Sequence, residues 1–158
     1  MTTPRAKASA KTPSKPAAQS RCFVAQFCDD IRYELGNKIT IVGLYNGYLY
    51  LHEFPALIPR FAVNAYVDLP IEEQITTVGF RIEKGDETVF QTSIEPGAPE
   101  IAEVENGHDQ FTRRSVGVQI SLPPLTVMAP CMLRSIITID GVEHVAGKLR
   151  IAATPTAK

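Results

Sequence analysis

Three carboxylates, Asp29, Asp30 and Glu34, stand within six residues of one another. Their oxygens have the chemistry to ligate Ca²⁺ or Mg²⁺. If one were buried against another, its raised pKa would suit general acid–base work, as in a divalent-metal-dependent hydrolase or a ligand-binding protein. Arg32 lies between them and points to a quieter arrangement, in which it neutralises the group while an aspartate bonds backbone amides at a turn. A second acidic stretch, EPGAPEIAEVENGHDQ at 95–110, carries Glu95, Glu100, Glu103, Glu105 and Asp109 beside His108. It lacks the alternating aspartates of a calcium loop. Long loops on rigid scaffolds often carry recognition, so Glu100, Glu103 and Glu105 are candidates for partner contact.

The other patterned set is aromatic. Tyr45, Tyr48, Tyr50 and His52 recur in KITIVGLYNGYLYLHEF, residues 38–54. Tyrosine buries a large apolar body and keeps a polar tip, which suits an interface. The same residues become core if another layer covers them. Reactive motifs are missing across the chain. No serine stands in Gly-x-Ser-x-Gly, no glycine loop leads into Lys-Ser/Thr, and there is neither a dinucleotide fingerprint nor Cys-x-x-Cys nor His-Glu-x-x-His. The expectation is a non-enzymatic protein without metal or cofactor.

The elements that must position these residues read as strands throughout. Asn46-Gly47 predicts a two-residue type I′ turn, because both residues tolerate positive φ. The hairpin it would close pairs Val42 with Leu51 and Leu44 with Leu49 on an aliphatic inner face. Its tyrosines fall on the other face, with Tyr50 across from Gly43. Around it, CFVAQF (22–27), FAVNAYVD (61–68), TTVGFRIEK (76–84) and ETVFQTSI (87–94) alternate with a period of two. A three-residue loop at Gly85-Asp86 would bring Phe80 and Phe90 to one face. RSVGVQISL (114–122) turns Val116, Val118, Ile120 and Leu122 inward, and CMLRSIITI (131–139) with VEHVAGKLRI (142–151) predicts a second tight hairpin about Asp140-Gly141. The fold class is all-β. Eight or nine short strands in a single antiparallel sandwich are expected, immunoglobulin-like or C2-like, with a jelly roll as the competitor.

The chain has 158 residues and a net charge of −1. Residues 1–21 are mostly Ala, Lys, Pro, Ser and Thr. They hold Arg5, Lys7, Lys11, Lys15 and Arg21 with no acid, so residues 22–158 carry −6. Such a segment buries too little apolar surface to order alone and reads as a basic tail before a domain at 22–153, with 154–158 as a short C-terminal tail. An acidic body does not suit a dedicated nucleic-acid domain, so contact with nucleic acid or another anion falls to Arg5, Lys7, Lys11 and Lys15. Three cysteines without an apolar leader suggest reduced thiols and a cytoplasmic location. No apolar run is long enough to imply a membrane span. The expected partner is a protein or a second copy of the chain.

Phe27-Cys28-Asp29-Asp30-Ile31-Arg32-Tyr33-Glu34, then Gly36-Asn37-Lys38 and Val42-Gly43-Leu44-Tyr45, resembles an uncharacterised bacterial and prophage-associated family, a domain of unknown function. The resemblance covers residues 22–95 well and the closing hairpin loosely. It implies a bacterial, non-secreted β-rich domain, compatible with a phage structural or accessory role, and it brings no catalytic residue with it.

Overall fold

The computed structural model describes residues 20–97 and 112–155. In chain order the strands are β1 (Cys22–Cys28), β2 (Asp30–Glu34), β3 (Lys38–Val42), β4 (Tyr48–Leu51), β5 (Ala56–Ile58) and β6 (Phe61–Pro70). Then come β7 (Val78–Lys84), β8 (Glu87–Ile94), β9 (Arg113–Leu122), β10 (Leu125–Val127), β11 (Cys131–Ile139) and β12 (Val142–Ala153). The protein is all-β, with twelve strands in four sheets and no helix among the described residues, where eight or nine strands were expected. The sheets are β1-β6-β9, β4-β12-β11-β7-β8, and the two-stranded β2-β3 and β5-β10.

Two-residue alternation builds the core. On β6, Phe61, Val63, Ala65, Val67 and Leu69 are all buried on one face. They join Val78, Phe80 and Ile82 of β7, Leu133, Ile137 and Ile139 of β11, and Leu149 and Ile151 of β12 in one apolar cluster. The three- and five-stranded sheets therefore share a single core. Because β6 is the middle strand of its sheet, part of its other face is buried too. There the Asn64 amide donates to Gln26 Oε1 (2.8 Å) and accepts from Gln119 Nε2 (3.1 Å), so a buried polar side chain is satisfied from both sides. The β2-β3 ribbon lies over this sheet's other end, where Ile31 and Ile41 pack on Cys28 and Ala62.

The turns decide the connections. Asp140 and Gly141, at φ 48° and 87°, join β11 to β12 as expected, with Ile139 opposite Val142. Gly85-Asp86 closes a two-residue loop rather than the three-residue one expected. A bulge between Ile82 and Glu83 restores the register, so Ile82 faces Phe90 and the two phenylalanines share the inner face.

The Asn46-Gly47 hairpin does not form. Consecutive positive φ angles occur instead at Gly36 (77°) and Asn37 (57°), and β3 pairs backwards onto β2. Asn46 has no positive φ, as a type I′ turn would require. Gly43, at φ 65°, turns the chain out of β3, and β4 instead runs parallel to β12, so the sheets are not wholly antiparallel. The expected inner face divides with the hairpin: Leu49 and Leu51 pack against the core, whereas Leu44 is 56% exposed.

Candidate functional site

The carboxylate cluster is dispersed by the bend between β1 and β2. Asp29 sits at the bend, and its N–H donates to the Val42 carbonyl at 3.0 Å. Its carboxylate covers Gly43 and accepts the Tyr45 hydroxyl. A Cβ at position 43 would overlap that carboxylate, which is why a glycine stands there. Tyr45 is drawn inward. Its N–H donates to the Phe27 carbonyl (2.8 Å), and its ring lies 5.9 Å from that of Phe61. Burial first, and then the Asp29 carboxylate, hold its hydroxyl pKa well above the ordinary phenol range. Asp30 pairs with Arg32 at 3.4 Å, and Glu34 accepts from the Thr40 hydroxyl. Among the described residues no three His, Cys, Asp or Glu side chains come together to hold a metal ion.

Cys28 is fully buried and its thiol donates to the Ala62 carbonyl at 3.6 Å. Burial raises its pKa; a hydrogen bond from the Asp30 backbone partly offsets this and the Asp29 and Asp30 charges add to the rise, so the thiolate needed for nucleophilic attack is disfavoured.

The tyrosine set separates because the hairpin is absent. Tyr45 belongs to the core margin, while Tyr48 and Tyr50 project from β4, 53% and 50% exposed, with rings 5.7 Å apart and nearly parallel at 6°. His52 is exposed just beyond the strand. β4 is the last strand of its sheet, bonded to β12 on one side only. The Gly47 and Leu51 carbonyls accept from Arg150 (3.0 Å) and Thr154 (2.8 Å). Backbone groups alternate sides along a strand, so the odd residues of β4 turn to β12. The N–H and C=O groups of Tyr48 and Tyr50 turn outward, away from the sheet. Leu49 and Leu51, on the opposite face, are half-buried against the core.

One cation stands beside the tyrosines and two more lie farther along the same sheet. Arg150 is in register with Tyr48 on β12, and in the neighbouring pair Lys148 stands opposite Arg134 of β11. Arg134 reaches Glu83 only at 4.0 Å, while Arg81 holds Glu83 (3.0 Å) and Glu143 (2.8 Å). Among the described residues neither Lys148 nor Arg150 is in an ion pair. This corner is a positive, aromatic patch on a body that is acidic overall. The sequence reading did not select Arg134, Lys148 and Arg150. Their alternation with apolar neighbours was visible, yet only the parallel β4-β12 pairing brings Arg150 to Tyr48. Arg5, Lys7, Lys11 and Lys15, and Glu100, Glu103, Glu105 and His108, lie outside the described residues.

Comparison with protein families matches residues 23–152, most of the chain, to a family of unknown function (DUF6941). The match runs through the closing hairpin as well as the segments that carry the resemblance. A comparison with curated proteins finds no match.

Proposed function

The chain belongs to this family of unknown function, and we propose that it serves as a non-catalytic protein-binding module that presents the tyrosine edge of β4. The observation that carries this reading is the paired exposure of Tyr48 and Tyr50 on a strand whose outer backbone groups have no neighbour in the sheet. Exposed aromatic pairs beside arginine are enriched where proteins bind one another. The scaffold we assign is a two-layer β-sandwich, supported by the shared core of the three- and five-stranded sheets.

Site-specific photo-crosslinking in the native cell tests the reading. A photoreactive residue in place of Tyr50 should form covalent adducts with a protein, whereas one in place of the exposed Ser93, on the opposite edge strand β8, should not. Equal yields at the two positions, or none at 50, would count against it. A rise in Tm with Ca²⁺ or Mg²⁺ that disappears on changing Asp29 and Asp30 to Asn would support a metal-dependent hydrolase instead.

A further inference from the structure

Resting on that reading, we infer that the occupant of the β4 edge is an extended acidic peptide, added as a sixth strand to the five-stranded sheet. Two independent features select this chemistry. The first is the backbone. Tyr48 and Tyr50 turn their N–H and C=O groups to the open side, and a row of alternating donors and acceptors is complementary to another extended peptide. Natural edges are commonly blunted by charge, proline or a bulge, and Tyr48–Leu51 contains none of these. The opposite edge is guarded: β8 has a bulge in its pairing with β7 and carries Glu87, bound to Lys84 at 2.9 Å.

The second feature is charge. A strand added to β4 would lie two strand spacings, about 10 Å, from β12. An arginine side chain extended across the Tyr48 row spans most of that gap. Carboxylates on the added strand would then meet Arg150, unpaired among the described residues, and the phenolic donors of Tyr48 and Tyr50. Residues on the strand's other face would fall beside Leu49 and Leu51. Those leucines are half-buried, so apolar side chains fit there. The partner pattern is alternation of an acid with an apolar, preferably β-branched, residue.

The test uses the full chain and acetyl-Glu-Val-Glu-Val-Glu-Val amide, followed by amide NMR and calorimetry. The acidic peptide should bind at least about tenfold more tightly than its lysine counterpart, and Arg150→Glu should narrow or reverse that preference. N-methylation of one alternate set of peptide amides should weaken binding about tenfold and methylation of the other set should be tolerated, because only one set faces β4. The Tyr48 and Tyr50 amides should gain protection from hydrogen exchange. Four results would overturn the inference: equal binding of the two peptides, indifference to both methylation patterns, protection of these amides by self-association without peptide, or binding of single-stranded oligonucleotide in place of either peptide. Crosslinking at position 50 with no peptide binding would sink this inference and leave the module reading standing. Failure of both would remove the module reading as well.

Discussion

Replacing Tyr45 by Phe keeps the ring against Phe61 and removes only the hydroxyl that donates to Asp29. Hydrogen bonds to charged groups contribute about 1.5–3 kcal/mol. Asp29 is exposed, so water recovers part of this, and about 1 kcal/mol is the expected loss at pH 7. The sign then changes with pH. The folded pKa of Tyr45 is raised, so the neutral phenol's contribution is fully present below the unfolded value of about 10. It is lost as pH rises toward the folded value, because the unfolded chain releases a proton that the folded chain retains. In that window the native protein loses about 1.4 kcal/mol per pH unit relative to Tyr45→Phe, which has no proton to release there. The two stability curves should therefore cross between about pH 10 and 11, roughly 0.7 unit above the unfolded pKa. Urea unfolding of both proteins from pH 7 to 11 measures the difference, in which the lysines and other tyrosines cancel. Absorbance at alkaline pH should also show one of the five tyrosines ionising only on unfolding. A gap between the two proteins that stays constant from pH 8 to 11 would refute the reasoning.

Phe80→Ala should cost about 3–5 kcal/mol by opening a cavity in the shared core, whereas Leu44→Ala, on the surface, should change stability by less than about 0.5 kcal/mol in the same denaturant titration. Asp140 Oδ1 accepts from the Thr76 and Thr77 N–H groups at 2.9 Å each, so Asp140→Gly, which keeps the positive φ, should lose about 1–2 kcal/mol and Asp140→Asn much less. Gly147→Ala would bring a Cβ to 2.8 Å from the Ala25 carbonyl and should destabilise by about 1–3 kcal/mol through forcing β1 and β12 apart, seen as a lowered Tm.

The strands that alternate cleanly were legible in the sequence. Phe61 to Val67 on β6 and Val78 to Ile82 on β7 read as single faces and are buried, because a period of two has one physical solution once a core exists. Asp140-Gly141 was legible because the two segments it joins pair directly across it, Ile139 opposite Val142. Asn46-Gly47 misled because a turn propensity is local, whereas the partners of β3 and β4 are not. β3 finds β2 through the nearer Gly36-Asn37 turn, and β4 finds β12 about a hundred residues later. The candidate site was half legible for the same reason. Tyr48 and Tyr50 follow from alternation alone, but Arg150 joins them only through a parallel pairing that no short-range pattern encodes.

The failed hairpin also accounts for the open edge. Had Asn46-Gly47 folded as a type I′ turn, β3 would lie along β4 and take up the Tyr48 and Tyr50 backbone groups. Gly43 prevents this. Its positive φ turns the chain away, the Asp29 carboxylate occupies the space where a side chain would stand, and Tyr45 is carried in to Phe61. The segment from Gly43 to Gly47 thus spends its conformational freedom on separating two strands that sequence proximity would otherwise pair. A bend that left β4 unpaired without compensation would be an aggregation hazard, yet here the strand is only four residues long. Its brevity limits self-pairing and leaves room for one short complementary segment. The Asp29–Gly43–Tyr45 corner is therefore the structural cause of the β4 edge, and stabilising one maintains the other.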